Sequence, residues 1–179
     1  MNAIMFKGIA TGLTASCLDF VLPSTACQAL YFLGINCGGK EETINGRTYE
    51  DDTYQAGPSN FYRRDTWAFS STGRFLDDDR PIKTYIALNS SILSTNDPQL
   101  YTQARLSPLS LTYYGFCLGN GNYTVKLHFA EIIFTDDKTY SSLGRRVFDA
   151  YIQVNIALYF LTINKFLDIN QTVTIFPFN

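Results

Sequence analysis

The clearest pattern along the chain is the alternation of apolar and polar residues in YTVKLHFAEIIF, residues 123–134. Successive side chains of a strand point to opposite faces, so a period of two predicts a half-buried antiparallel strand. Its apolar face carries Tyr123, Val125, Leu127 and Phe129. RRVFDAYIQV, residues 145–154, repeats the pattern with Phe148, Ala150 and Ile152 on the inner face.

Shorter strands and turns are predicted upstream of these two segments. LYFLGINCGG, residues 30–39, predicts a strand that runs into a glycine turn. Asn45-Gly46 predicts a tight turn in which both residues have positive φ. No stretch of residues 30–153 has helical periodicity. Many short strands joined by Gly and Asn turns predict an all-β fold, in the form of a β-sandwich.

Two flanking segments differ from this pattern. Residues 1–29 show no clear period and are expected to be irregular. Residues 154–179 are apolar, with only Lys165 and Asp168 charged, and are interpreted as a further strand pair, an interfacial segment or sequence outside the domain. We therefore predict a flanking segment 1–29, a domain 30–153 and an atypical apolar tail 154–179.

Composition and charge exclude several classes of function. A chain of 179 residues with 46% hydrophobic and 17% charged residues suits one globular domain. Its net charge of −2 gives no basic surface for nucleic acid. His128 is the only histidine, which excludes a multi-histidine metal site. The longest charge-free windows, 20–39 and 106–125, contain Pro, Gly and polar residues, so no membrane span is expected. No metal ion or cofactor is expected either.

Cysteines and glycosylation sequons bear on the compartment. Cys17, Cys27, Cys37 and Cys117 form no C-x-x-C pair and allow three disulfide pairings. N-x-S/T sequons begin at Asn89, Asn122 and Asn170. These features agree with a secreted protein, and buried thiols in a cytosolic protein are the alternative.

Glu131 is the most unusual charged residue, because continued alternation would place it on the apolar face of its strand. A buried carboxylate needs a partner, and Arg105 and Arg146 are the candidates. The pair would fix the strand register. The alternative is a catalytic acid of a glycosidase, for which no second carboxylate can be placed nearby.

Aromatic residues in predicted loops are the candidates for ligand contact. Exposed rings stack on the apolar C–H faces of sugars, whereas buried rings belong to the core. We weigh both interpretations for Phe61, Tyr62, Trp67, Tyr113, Tyr114 and Tyr140.

Three segments together resemble a known family: INCGGKEETINGRTYEDD, DTWAFSSTGRFLDDD and LYTQARLSPLSLTYYGFCLGNGNYTVKLHFAEIIFTDDKTYSSLGRRVFDAYIQ. They are similar to the malectin domain in the ectodomain of plant leucine-rich-repeat receptor-like serine/threonine kinases. The resemblance runs from about Tyr31 to Gln153. It implies a jelly-roll-like β-sandwich related to galactose-binding folds, with the last strands of the family missing from a chain that is truncated after Gln153. It also implies a non-catalytic carbohydrate-binding module on the extracellular side of the plasma membrane, and this chain itself, with no kinase domain, would be secreted.

The resemblance assigns roles to particular residues. Two aromatic positions of the family's sugar site fall on Trp67 and Phe134, which would stack on the ligand. Leu106 and Ile133 stand where the family has tyrosines, which favours the alternative of a protein-interaction module without sugar affinity. Disulfides are expected between Cys37 and Cys117 and between Cys17 and Cys27, and glycans at Asn89 and Asn122. The expected partner is a cell-wall or N-glycan oligosaccharide, or another receptor ectodomain.

Overall fold

The computed structural model describes residues 2–9, 13–15, 17–20, 32–75, 85–89, 97–116, 121–132, 147–152, 155–162 and 166–175. Almost all regular structure in these ranges is β-strand. The strands are β1 (Asn2–Ile9), β2 (Leu13–Ala15), β3 (Cys17–Phe20), β4 (Leu33–Asn36), β5 (Glu42–Ile44), β6 (Arg47–Asp51), β7 (Phe61–Arg63), β8 (Trp67–Thr72), β9 (Ile86–Leu88), β10 (Gln103–Ser107), β11 (Ser110–Gly115), β12 (Gly121–Ala130), β13 (Val147–Ile152), β14 (Asn155–Thr162) and β15 (Phe166–Ile175). The predicted all-β class is confirmed.

Two six-stranded sheets form the body of the fold. The first sheet has the strand order β14-β13-β1-β11-β8-β7, and the second has the order β15-β12-β3-β4-β6-β5. Neighbouring strands are antiparallel except for β4 and β6, which pair in parallel. One buried core contains side chains of both sheets, among them Ile35 and Leu127 of the second sheet and Phe69 and Phe148 of the first. The two sheets therefore pack face to face as a sandwich.

The predicted alternation holds for the strands that form this core. Val125, Leu127 and Phe129 are buried along β12, whereas Lys126 and His128 between them are only half-buried. β13 alternates in the same way, with Phe148, Ala150 and Ile152 buried. The pattern follows from burial of one face of each strand against the facing sheet.

Glu131, which was predicted to face the core, follows the last residue of β12 and is only half-buried, so it is not one of the buried core residues. β12 ends at Ala130, which is itself buried, and the next buried side chain is Ile132. Glu131 lies between these two residues and is half-buried. Phe129 packs in the core between the two sheets, whereas Ala130 and Ile132 pack in a separate buried cluster on the other face, so the alternation of faces continues through these residues.

The expectation that residues 1–29 are irregular is wrong. β1 lies inside the first sheet, where it pairs with β11 and with β13. β3 lies inside the second sheet, between β12 and β4. The first twenty residues therefore contribute central strands, to which the local pattern gives no clue.

The apolar tail forms a further strand pair, which was one of its three interpretations. β14 pairs with β13 at the edge of the first sheet, and β15 pairs with β12 over ten residues at the edge of the second. In this arrangement β15 covers the edge of β12, whose unpaired backbone groups would otherwise be open to solvent.

A second, smaller core covers the outer face of the second sheet. The three-stranded sheet β2-β10-β9 and a 3₁₀-helix at Pro98–Tyr101 supply Ala87, Leu100 and Tyr101 to it. Tyr49, Ala130 and Ile132 meet them from the second sheet and its continuation. No helix in the described ranges is long and apolar enough to cross a membrane.

The predicted turn at Asn45-Gly46 is confirmed. Asn45 has φ of 51° and Gly46 has φ of 75°, and the two residues connect β5 to β6. Positive φ at both central positions is the geometry that suits the right-handed twist of a two-residue hairpin. The turn places Asn45 beside the strand residues Ile44 and Arg47.

Candidate ligand-binding site

A buried cluster of charged and polar groups organises one part of the molecule. The Asp52 and Arg105 side chains form an ion pair, and neither side chain has exposed surface. Arg105 Nε donates to Asp52 Oδ2 at 3.0 Å and Nη2 donates to Oδ1 at 2.6 Å, so the contact is bidentate. The Tyr113 hydroxyl and the Gly38 N–H also donate to Oδ2, at 2.6 and 3.0 Å.

Burial is the main influence on ionisation in this cluster. It raises the pKa of Asp52, while the charge and hydrogen bonds of Arg105 and the hydrogen bond of Tyr113 act in the opposite direction. Burial also raises the pKa of Tyr113 well above its usual value, so the hydroxyl stays protonated and donates to the carboxylate. Because the cluster is closed to solvent, its role is to hold chain segments together.

The Asp52–Arg105 ion pair was not predicted from the sequence, and it changes the partner expected for Arg105. Arg105 was a candidate partner for Glu131, but its ion pair is with Asp52. Its Nη1 also donates to the Tyr54 carbonyl at 2.8 Å, which fixes the loop that follows β6. Arg146, the other candidate for Glu131, lies outside the described residues.

Trp67 lies in the interior and has no exposed surface. Its Nε1 donates to Glu50 Oε2 at 3.0 Å, and the Tyr62 ring meets its indole edge-on at 6.2 Å. A ring that is enclosed on both faces cannot stack on a sugar without being uncovered. The structure thus gives Trp67 a packing role, and its burial does not fit the predicted stacking on a sugar.

An exposed aromatic surface lies directly above Trp67. The Tyr54 ring is 42% exposed and stacks on Tyr62, with centroids 4.0 Å apart and planes 13° from parallel. The Arg64 guanidinium lies 6.0 Å from the centre of the Trp67 ring, beside Tyr62. We call this region the Tyr54 surface; its residues are Asp51, Thr53, Tyr54, Tyr62 and Arg64.

Polar groups at the Tyr54 surface are oriented by an ion pair. Arg64 Nη1 lies 2.5 Å from Asp51 Oδ1, and both side chains are about one-third exposed, at 35% and 37%. The Thr53 hydroxyl donates to Asp51 Oδ2 at 3.2 Å. Partial burial acts to raise the pKa of Asp51, but the hydrogen bond and charge of Arg64 hold it below the usual value. A charged acceptor and a charged donor thus lie close to an exposed ring, and these are the groups that bind sugar hydroxyls and C–H faces.

The structure describes only some of the other candidate ligand residues. Phe134 and Tyr140 lie outside the described residues, and Tyr113 is buried in the ion-pair cluster. Phe61 is 60% exposed and touches Tyr114 edge-on, with centroids 6.4 Å apart. It alternates with Tyr62 along β7 and so points to the outer face of the first sheet.

The predicted disulfides and glycosylation sites stay predictions. Cys37 is buried, and Cys17 lies in β3, but Cys117 and Cys27 lie outside the described residues. Asn89 follows β9, and its side chain donates to the Tyr101 carbonyl at 3.3 Å. Asn122 lies in β12, opposite Thr174 of β15. In the ranges that the structure covers, no three His, Cys, Asp or Glu side chains come together as ligands for a metal ion.

A polar cleft of about 250 Å³ lies on the outer face of the second sheet. We call it the sheet cleft. Its lining residues are Ile44, Asn45, Arg47, Tyr49, Asp97, Lys126 and His128. The sheet cleft shares no residue with the Tyr54 surface, so the cleft and the aromatic surface are two different candidate sites.

The chain is similar to one protein-domain family and to plant receptor-like kinases. Residues 31–176 match the Malectin domain family. A probable LRR receptor-like serine/threonine-protein kinase of Arabidopsis thaliana is 52% identical over 136 residues, which are 72% of this chain and 13% of the relative. A second such kinase from the same plant is 42% identical over 167 residues, 86% of this chain and 16% of the relative. No solved structure matches.

The comparisons extend further along the chain than the motifs did. The family match continues to residue 176 and so includes β14 and β15, whereas the resemblance of the motifs runs to about Gln153. The chain spans only 13% and 16% of the length of these two curated relatives.

Proposed function

The chain belongs to the malectin domain family, and from this membership we propose that it is a non-catalytic carbohydrate-binding module of a receptor ectodomain. The module would lie on the extracellular side of the plasma membrane, as part of a receptor-like kinase of the kind that its relatives are named for. The proposed ligand is a cell-wall or N-glycan oligosaccharide.

The observation that carries the proposal is the exposed ring of Tyr54. Stacking on Tyr62 holds this ring in one orientation before any ligand arrives, which lowers the entropy lost on binding. The neighbouring Arg64 and Asp51 supply a charged donor and a charged acceptor for hydroxyl groups. The pairing of a rigid apolar face with oriented polar groups is the usual composition of a sugar site.

The test is a glycan array followed by calorimetry on the oligosaccharides that bind. We expect Tyr54→Ala to weaken binding about tenfold, equivalent to about 1.4 kcal/mol, because the stacking face is lost. Phe61→Ala is the matched control, since it removes another exposed ring on the opposite face of β7. Equal loss in both variants, or no glycan bound by a folded protein, would contradict the proposal.

A second candidate function is contact with another receptor ectodomain, and the outer face of the first sheet favours it. Phe61 is 60% exposed there, and the Arg63 guanidinium lies 4.9 Å from the centre of the Phe116 ring nearby. Exposed aromatic and arginine side chains are enriched at protein interfaces. If this function holds, Phe61→Ala lowers affinity for the partner ectodomain and Tyr54→Ala does not.

A further inference from the structure

The sheet cleft is built from three parts of the chain. The β5–β6 hairpin supplies Ile44, Asn45, Arg47 and Tyr49, β12 supplies Lys126 and His128, and Asp97 immediately precedes the 3₁₀-helix. Its volume of about 250 Å³ is below the roughly 300–1,000 Å³ of pockets for drug-sized ligands. A ligand group that fills it has the size of one sugar ring.

Positive charge exceeds negative charge in the lining. Two cationic side chains, Arg47 and Lys126, face the cleft together with one carboxylate, Asp97. Neither cation forms an ion pair with any residue in the described part of the chain. The cleft therefore favours a ligand that carries a negative group.

The walls of the cleft are held in place by contacts behind them. The Arg47 guanidinium lies over the Phe32 ring, 5.2 Å from its centre. His128 Nδ1 lies 3.1 Å from the Tyr101 hydroxyl oxygen, and the two rings meet edge-on. Side chains positioned in this way lose less conformational entropy when a ligand binds.

We propose that the sheet cleft binds a hydroxylated carboxylate of the size of one hexuronate residue. The carboxylate would bind Arg47 and Lys126 through charge-assisted hydrogen bonds. Asp97 and the Asn45 amide would bind the hydroxyls, which a bare inorganic anion lacks. Ile44 and Tyr49 would contact the apolar C–H face of the ring.

The proposal does not depend on the Tyr54 surface. The two regions share no residue, and Tyr54→Ala is expected to leave binding at the sheet cleft unchanged. A failure of one proposal is therefore distinguishable from a failure of the other.

The experiment is an NMR titration of the whole chain with glucuronate, glucose and inorganic sulfate as separate probes. Glucuronate is expected to shift the amides of residues 44–49 and 126–128 and to bind at least about tenfold more tightly than glucose or sulfate. Equal binding of glucose would show that the cations are not used. Equal binding of sulfate would show an anion site without recognition of the sugar body. Either result overturns the proposal.

Charge-neutral variants complete the test. Lys126→Gln and Arg47→Gln are each expected to weaken glucuronate binding about tenfold, since each removes one charge-assisted contact. Arg63→Gln makes the same change in net charge on the other sheet and is the control. A thermal melt confirms that each variant is folded. Equal weakening by Arg63→Gln would show that net charge alone acts, which overturns the proposal.

Discussion

Asp52 is a buried residue whose hydrogen bonds connect distant parts of the chain. Its carboxylate receives hydrogen bonds from Arg105, Tyr113 and the Gly38 backbone, groups that lie far apart in sequence. Taking two charges out of water costs several kcal/mol per ion, and only this full set of donors offsets that cost. Asp51, the preceding residue, pairs with Arg64 near the surface, where water screens the attraction.

The adjacent aspartates therefore provide a matched comparison. Asp52→Asn keeps the size of the side chain but leaves the Arg105 charge buried without compensation, so we expect a loss of about 3–5 kcal/mol in the free energy of unfolding. Asp51→Asn should cost less than about 1 kcal/mol, because its ion pair is partly exposed. Urea denaturation of both variants measures the difference, and similar losses would contradict the structural role of the buried pair.

Much of this cluster could not be predicted from the sequence. Asp52 and Arg105 are 53 residues apart, and their pairing depends on how β6 and β10 are brought together. The ligand role of Trp67 is implied by the family resemblance alone, because the sequence pattern around this ring fits a core residue and a sugar contact equally well. The residues above it, Tyr54 and Arg64, carried no signal of their own, because exposure is a property of the folded chain.

The elements that the sequence predicted best are the Asn45-Gly46 turn and the two alternating strands β12 and β13. The turn at Asn45-Gly46 depends on two adjacent residues that tolerate positive φ. The buried positions of β12 and β13 follow from a period of two within each strand. β1 and β3 were missed because what orders them is pairing with strands distant in sequence, β11 and β12 among them. Local patterns predict elements whose causes are local.

Two glycines with positive φ differ in the space that surrounds them, so substituting each one distinguishes the cost of backbone strain from the cost of a steric clash. Gly46 has φ of 75° and open space where a Cβ would lie, whereas Gly38 has φ of 84° and would place a Cβ 2.5 Å from the Arg105 backbone nitrogen. We expect Gly46→Ala to lower the free energy of unfolding by about 1–2 kcal/mol, the cost of the left-handed conformation. Gly38→Ala should cost more than about 4 kcal/mol, since backbone must also move. Denaturant unfolding measures both, and equal losses would show that the close approach at Gly38 is unimportant.

At the scale of the whole molecule, each six-stranded sheet contains strands from the beginning and from the end of the described chain. In the first sheet β1 lies next to β13, and β14 lies beyond it. In the second, β3 lies next to β12, and β15 lies beyond it. This arrangement leaves two separate regions on the outside, the Tyr54 surface and the sheet cleft, which differ in chemistry. An aromatic face suits a neutral sugar, and a cationic cleft suits an acidic one.

The most direct measurement is the NMR map of an oligosaccharide that the array selects, added to the ¹⁵N-labelled chain. The largest shifts are expected on residues 51–54 and 62–64, and Tyr54→Ala is expected to raise the ligand concentration that half-saturates them about tenfold while the spectrum stays that of a folded protein. Shifts centred on Phe61 and Tyr114, or an unchanged affinity in Tyr54→Ala, would contradict binding at the Tyr54 surface.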